Sequence, residues 1–324
     1  MKKFLIISSN RLGDSILSSG IVYHYKRLYP GCQLTFVCGL IPFELFKFVN
    51  DIDRLIPLKK RKYSIHWFFL WIKVFFNLWD CIVDLRGTII SIFLMSKKRV
   101  IYKSLKKKIH KVRMISNYFG NEILHPHLNI NEEKKLISNY VQKINNLNKN
   151  KILVAISASA NWSGKTWPLD NYAELIKKLI KNDQLGKAKF ILFGSNEEKS
   201  DSRTIKSYFK DEIIDLVGVL KFNEIFLILK KCKLFIGNDS GLMHLAAVSG
   251  IPTVGLFGPS DINQYHPWGD KTLAIRTPET PERLMNTECF SHKQTETLMG
   301  SLKVNKVEKE VINFYKQMNY RDEL

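Results

Sequence analysis

Short apolar runs separated by amphipathic stretches alternate along almost the whole chain. Phe4 to Ser8, Gln33 to Cys38, Arg54 to Pro57, Cys81 to Asp84 and Arg99 to Tyr102 have the length and composition of strands. Between them, Ser15 to Tyr29, Phe43 to Val49, Ile65 to Leu78 and Thr88 to Met95 predict helices. Strands apolar on both sides, each followed by a helix, imply a parallel sheet covered on both faces. A polar stretch from Asn129 to Asn150 breaks the rhythm, with one helical pattern (Glu132 to Ile144) and then an asparagine-rich run that suits a linker. The order then restarts: strand Lys151 to Ser157, helix Asp170 to Lys181, strand Lys189 to Phe193, helices Glu197 to Phe209 and Phe222 to Lys230, and a strand ending at Ile236. The pattern predicts two doubly wound α/β domains in tandem, residues 1–150 and 151–324, with a cleft expected between the carboxyl ends of both sheets.

Length and composition agree with this reading. At 324 residues the chain exceeds one ordinary core, and 45% hydrophobic residues make it globular. Five cysteines with no CxxC pair argue against a disulfide framework or a zinc site and fit a reducing compartment. Met1-Lys2-Lys3 followed by Phe4-Leu5-Ile6-Ile7 is too short an apolar run for a signal peptide and reads as the first strand.

Charge changes the picture more. The formal net charge is +20, and residues 1–150 hold 26 Lys and Arg against 9 Asp and Glu. Such a surplus steers anionic partners: nucleic acid, an acidic membrane, or a phosphorylated or carboxylated sugar. A Lys- and Asn-rich background composition accounts for part of the total, less readily for its asymmetry. No RNA-binding aromatic signature and no G-x-G-x-x-G after a strand is present, so neither nucleic acid nor a dinucleotide is the expected partner. Lys59-Lys60-Arg61-Lys62 precedes the aromatic run Ile65 to Trp79, which is too short and too interrupted by Lys73 to span a bilayer. It reads either as a segment for an acidic membrane surface or as a buried helix. Lys106, Lys107 and Lys108 belong to a second basic cluster that could meet an anionic acceptor.

Candidate chemistry gathers at strand ends. Gly237-Asn238-Asp239-Ser240-Gly241 cannot continue the strand before it, and Leu242 to Val248 are mostly helix formers, so the turn opens a helix capped by Asp239 or Ser240. Amides at such a start favour a phosphate. Ser8 to Ser15 is a similar strand-to-helix turn, in which Asp14 or Ser15 is the expected N-cap. Lys165 sits in a Ser/Gly-rich loop after a strand, a setting suited to a phosphate ligand. Asp84-Leu85-Arg86-Gly87 ends a strand, with Asp84 either a cap or a ligand and Arg86 able to grip a carboxylate or phosphate. Asp51-Ile52-Asp53 spells a metal-binding D-x-D, but it precedes a strand far from the nucleotide-like turns and reads as a turn.

The string from Asp239 to Asp261, with Ser240, Gly241, His244, Leu245, Pro252, Phe257, Gly258 and Pro259, resembles the D-[TS]-G-x-x-H-L…G-x-P…L-F-G-P-[TS]-D signature of the heptosyltransferase family, glycosyltransferase family 9. The resemblance extends to the R-x-G-D turn at Arg11 to Asp14, the D-x-x-G element at Asp84 and the K-x-W-P segment at Lys165 to Pro168. It implies the GT-B architecture, two facing Rossmann-like domains, the first binding acceptor and the second nucleotide-sugar, with the last helix returning to the first. It implies an inverting, metal-independent transfer of heptose from ADP-heptose to the Kdo- or heptose-bearing inner core of lipopolysaccharide, with no cofactor. Asp14 would be the general base. Ser157, Ser159, Lys165, Asp239, Ser240, Gly241 and His244 would hold the donor, His244 chiefly by orienting the turn, and Glu198, whose spacing fits better than that of Glu197, would hold the ribose. Arg11, Asp84, Arg86 and Lys106 to Lys108 would meet the glycolipid acceptor, placing the enzyme at the cytoplasmic face of the inner membrane. The alternatives are a family member with another sugar or acceptor, and a non-catalytic glycolipid- or nucleic-acid-binding protein.

Overall fold

A computed structural model describes residues 1–103, 109–131, 138–147, 151–158, 160–185, 187–209, 211–286 and 296–322. The chain forms two compact units, Met1–Asn131 and Glu132–Leu324. The first contains β1 (Lys3–Ile7), α1 (Leu12–Leu17), α2 (Gly20–Leu28), β2 (Gln33–Cys38), α3 (Leu40–Phe46), β3 (Arg54–Pro57), α4 (Ile65–Val74), β4 (Trp79–Asp84), β5 (Ser96–Ile101) and α5 (Lys111–Ser116). The second contains α6 (Asn139–Leu147), β6 (Leu153–Ser157), α7 (Leu169–Ile180), β7 (Lys189–Leu192), α8 (Lys199–Ser207), β8 (Ile213–Asp215), α9 (Phe222–Leu229), β9 (Leu234–Asn238), α10 (Gly241–Val248), β10 (Thr253–Phe257), α11 (Ile262–Tyr265), β11 (Thr272–Arg276), α12 (Pro281–Met285) and α13 (Val304–Asp322).

Both sheets are wholly parallel, in the orders β3-β2-β1-β4-β5 and β11-β10-β9-β6-β7-β8. Each is a doubly wound Rossmann-type sheet whose order reverses once, between β1 and β4 and between β6 and β9. Ligand crevices form at the carboxyl ends of strands flanking such a reversal. The central strands β6, β9 and β10 are buried at every residue, as two-sided coverage demands.

Where the structure departs from the sequence reading, the cause is a contact between distant segments. The single helix expected over Ser15 to Tyr29 is broken at Ser18 and Ser19 into α1 and α2. Ser18 turns its hydroxyl to the Ser15 carbonyl at 3.0 Å, while Ser19 accepts from the His127 amide at 2.9 Å. Gly20 opens α2 because the chain at Leu124 and His125 lies directly on it: a Cβ there would stand 2.4 Å from the His125 carbonyl oxygen. Gly20→Ala is therefore expected to lower stability by about 1–3 kcal/mol, as overpacking does, read as a lower denaturant midpoint at unchanged slope. The unit boundary falls ahead of the asparagine run, because α6 buries Val141 and Ile144 and packs beside α9 of the second unit. Asn148 to Asn150 lie outside the described residues. The last helix, α13, packs along α7 and contributes Val304, Val307, Val311, Phe314, Tyr315 and Met318 to the core of the second unit. Residues 88–95, expected to be an α-helix, form instead a short 3₁₀ turn over Ile89–Phe93.

Candidate active site

In the first unit, the carboxyl ends of β1 and β4 lie side by side, Ile7 opposite Asp84. The N-cap of α1 is Arg11, with extended backbone (φ −94°, ψ 137°), so the expected capping role of Asp14 or Ser15 is overturned. Both lie inside the first turn; Ser15 is buried and donates to the Ser9 carbonyl at 3.2 Å. Asp14 is half-buried, and its carboxylate takes a long hydrogen bond of 3.4 Å from the Ser9 hydroxyl. A carboxylate in a helix's first turn is favoured by the dipole, yet here it keeps acceptor capacity in hand. The loop that carries it is held closely: the Gly39 amide donates to the Ser9 carbonyl at 3.1 Å, and a Cβ on Gly39 would meet Asn10 Cα at 2.6 Å.

Asp84 is fully buried, and both of its carboxylate oxygens hold the loop that follows it. One oxygen accepts from the Arg86 amide at 2.9 Å and the other from the Thr88 amide and hydroxyl at 2.7 and 2.6 Å. This folds the 84–88 loop so that Arg86 reaches the β1 loop, donating to Asn10 Oδ1 at 2.9 Å with its guanidinium 4.9 Å above the Trp67 ring. Arg86 and Arg11 are exposed. Two guanidinium groups and the Asp14 carboxylate thus border one edge of the first sheet. Asp51 and Asp53 precede β3 and so lie at the amino end of the parallel sheet, the opposite edge. Asp53 is engaged there by Lys26 Nζ (2.7 Å) and the Leu34 amide (2.6 Å), as a turn residue would be. Lys106, Lys107 and Lys108 lie outside the described residues.

In the second unit the order reverses between β6 and β9, and the expected donor residues collect there. Of the two candidate caps for α10, Ser240 is the one used, its hydroxyl accepting from the Met243 amide at 3.5 Å. The amides of Gly241 and Leu242 precede the first intrahelical bond, from His244 N–H to the Ser240 carbonyl, and are the groups an anion would meet. Asp239 is buried. Its Oδ2 receives both Lys165 Nζ at 2.6 Å and the Ser260 hydroxyl at 2.5 Å. The carboxylate is therefore a holder of Lys165 and of the Ser260 loop, and Lys165 is the exposed partner, with 23% of its side chain accessible against 8% for Asp239. His244 is buried one turn into α10. Ser157 is fully buried at the end of β6, and Ser159 lies outside the described residues.

Two residues that the motif reading passed over complete this arrangement. Asn238, fully buried at the end of β9, accepts from the Trp167 amide (3.1 Å) and the Tyr172 hydroxyl (2.9 Å) and donates to the Ala158 carbonyl at 2.7 Å. It ties the β6 loop, the Lys165 loop and α7 to one point. Ser260 is the second. An Asn ending an otherwise apolar buried strand is itself a signal, because a buried amide needs partners.

Beyond β7, Ser195 and Glu198 form a capping box, and Glu198 Oε2 accepts from the Ser195 amide at 2.6 Å. Glu198 also lines a cleft with Ile156, Ala158, Leu192, Phe193 and Val217 at the carboxyl ends of β6, β7 and β8, whereas Glu197 is exposed. A carboxylate in a mostly apolar cleft, which Asp201 and Ser202 also line, can accept from vicinal hydroxyls while a flat ring packs on the apolar side chains. Among the described residues, Cys32, Cys38, Cys81 and Cys232 are buried free thiols; burial pushes Cys38 up to about 12, which leaves it unreactive.

The sequence profile of glycosyltransferase family 9 (heptosyltransferase) matches residues 92–294. The chain is 30% identical over 159 residues to lipopolysaccharide heptosyltransferase 2 of Escherichia coli, a match covering 48% of this chain but only 44% of that protein. It is 21% identical over 310 residues to lipooligosaccharide heptosyltransferase 2 of Haemophilus influenzae, covering 85% of this chain and 88% of that one. In three dimensions it is similar to the E. coli ADP-heptose lipopolysaccharide heptosyltransferase II, with a TM-score of 0.73 at 20% identity over 98% of this chain and 100% of that one. That likeness establishes the GT-B fold. With the profile matching well over half of its length, the chain belongs to glycosyltransferase family 9 and is a glycosyltransferase.

Proposed function

We propose that this enzyme transfers a heptose from ADP-heptose to a Kdo or heptose residue of the lipopolysaccharide inner core, inverting the anomeric centre in one displacement. The observation that carries the reading is the division of chemistry between the two units. The first holds a carboxylate, Asp14, free of capping duty beside Arg11 and Arg86; the second holds a lysine and a helix start at a β6/β9 reversal. The names of the relatives, heptosyltransferases of lipopolysaccharide and lipooligosaccharide, supply the choice of sugar and acceptor.

Asp14 takes the proton from the acceptor hydroxyl as that oxygen attacks the anomeric carbon. The bond from that carbon to the diphosphate oxygen breaks, and the electron pair leaves with ADP. The α10 amides and Lys165 meet the charge that develops on the leaving diphosphate, preorganised dipoles costing no reorganisation at that moment. Asp239 and Ser260 fix Lys165 in position. Glu198 accepts from the ribose hydroxyls, and Arg11 and Arg86 bind acceptor carboxylates, Arg86 through the fork geometry that suits them. Such an acceptor is an anionic lipid-linked glycan, which puts the work at the cytoplasmic face of the inner membrane.

The test is incubation with a panel of sugar nucleotides and deacylated core acceptors, with product mass as readout. A product heavier by one heptose from ADP-heptose alone supports the reading; exclusive use of another sugar nucleotide overturns the choice of donor. Glu198→Ala is expected to raise the donor KM about tenfold, the effect of losing a hydrogen bond to a charged group, and Glu197→Ala to leave it unchanged. Equal effects of the two would remove Glu198 from the ribose.

A further inference from the structure

We propose that one face of the first unit, formed by α4 and the 3₁₀ turn Ile89–Phe93, is a docking surface for an anionic lipid bilayer. Apart from His66 and Lys73, the helix is apolar on its outer as well as its inner side. Leu70 and Val74 point into the core under β1 and β4, while Phe68, Phe69 and Ile72 point outward. A helix apolar on both sides has its second face buried in something, either protein or lipid. The neighbouring turn repeats the pattern: Ile90 and Leu94 are buried, whereas Ile89, Ile92 and Phe93 are exposed. The two segments are joined, with Trp71 Nε1 donating to the Phe93 carbonyl at 3.2 Å. Exposure is extensive at the tips: Ile89 71%, Phe93 62%, Phe68 59%. An apolar area built from several large side chains on two adjoining segments marks an interaction site.

Charge selects the occupant. Lys59, Lys60, Arg61 and Lys62 lead into α4, Lys73 lies on the helix itself, and all five are exposed. The Arg61 guanidinium sits 4.6 Å from the Phe69 ring centroid, so cation and aromatic form one surface. Aromatic and aliphatic tips flanked by Lys and Arg match an interface whose acyl chains accept the tips and whose anionic headgroups accept the cations. The surface also adjoins the substrate edge. Trp67 of α4 carries Arg86, and the Asp84 cap that aims Arg86 leads directly into the 3₁₀ turn. A bilayer held on this face places headgroup-level glycans next to Arg86. Only this last consequence rests on the reading of the acceptor given above.

The experiment is co-sedimentation of the whole protein with vesicles of phosphatidylcholine alone and of phosphatidylcholine mixed with phosphatidylglycerol. The wild type is expected to bind the mixed vesicles, more weakly as salt rises, and to bind the neutral ones poorly. The triple variant F68S/I89S/F93S removes only exposed side chains and is expected to lose about tenfold or more in partitioning at unchanged melting temperature. The variant K59Q/K60Q/K62Q is expected to lose the preference for anionic vesicles. With substrates present, the triple variant keeps the wild-type rate on a deacylated acceptor and falls on a vesicle-embedded one. No sedimentation of the wild type, or equal sedimentation of the triple variant, overturns the proposal, as does conversion of a dimer to a monomer by that variant with vesicle binding intact. Vesicle binding in a protein that modifies no core acceptor leaves this surface standing and removes the heptosyl reading instead.

Discussion

Asp14→Asn is expected to lower turnover by about 10²- to 10⁴-fold, the contribution of a positioned general base, with donor affinity unchanged. The substitution is nearly isosteric, and the affected side chain does not cap α1, so the fold has little to lose. Its hydrogen bond to Ser9 is long, at 3.4 Å, and contributes little to holding the loop. An amide at the same position keeps the size and one acceptor oxygen but loses the negative charge, and with it the ability to take a proton. Product formation under saturating substrates, together with donor binding by calorimetry, checks the expectation. Parental turnover would reduce Asp14 to a helix-start residue favoured by the dipole. A parallel loss of donor affinity would place it in donor binding.

The second large effect concerns the Lys165–Asp239 pair, which has both a structural and a binding role that two variants together can separate. Among the described residues, Lys165→Met leaves the buried carboxylate only the Ser260 hydroxyl, and breaking a buried pair costs about 3–5 kcal/mol. Because Lys165 keeps 23% of its side chain accessible, solvent screening brings the expectation down to roughly 2 kcal/mol. Adding Asp239→Asn removes the stranded charge while keeping an acceptor for Ser260, so the double variant is expected to recover most of that stability. Donor KM behaves differently. It is expected to rise about 10- to 100-fold in Lys165→Met and to remain raised in the double variant, the equivalent of losing a hydrogen bond to a charged group. Denaturation midpoints and donor KM for the set decide the matter: recovery of both together would make Lys165 merely the counter-ion of Asp239.

The ion pair also bears on affinity. The Lys165 ammonium is paired with a carboxylate 2.6 Å away, so the proposed donor diphosphate would compete with Asp239 for it. On the proposed reading, Lys165 would therefore act as a positioned donor of hydrogen bonds, and the amides at the start of α10 would take a correspondingly larger share of the phosphate charge.

Much of this site was legible in the chain because it is built from local signals. The turn that opens α10 is set by residues adjacent in sequence, so the turn and the helix start were readable, with the cap narrowed to Ser240; the strand runs two residues further than expected, through Gly237 and Asn238, because both pair in the ladder with β6 or β10. Strands β2 and β3 were recovered at their true ends for the same reason. What escaped was decided at a distance. Nothing near Ser18 announces that His127 will claim the Ser19 hydroxyl and break the helix. The N-cap of α1 fell at Arg11, a residue with no capping side chain, because the Ser9 hydroxyl takes the Arg11 amide and the Ser9 carbonyl is fixed by Gly39. That Asp84 holds the loop after it shows only when Thr88 is seen folded back onto it. Asn238 and Ser260 gain their roles only when β6, β9 and the loop after β10 are brought together. The aromatic run at 65–79, ambiguous between core and membrane, divides along the helix circumference into a buried stripe and an exposed one.

The account rests on a single displacement driven by one carboxylate base, and the anomeric configuration of the product tests this most directly. The one-bond carbon–hydrogen coupling at the new glycosidic centre, measured by NMR on product made from ADP-heptose of known configuration, is expected to report inversion. Retention of the donor's configuration would require a second displacement or a different nucleophile, and would contradict the role assigned to Asp14.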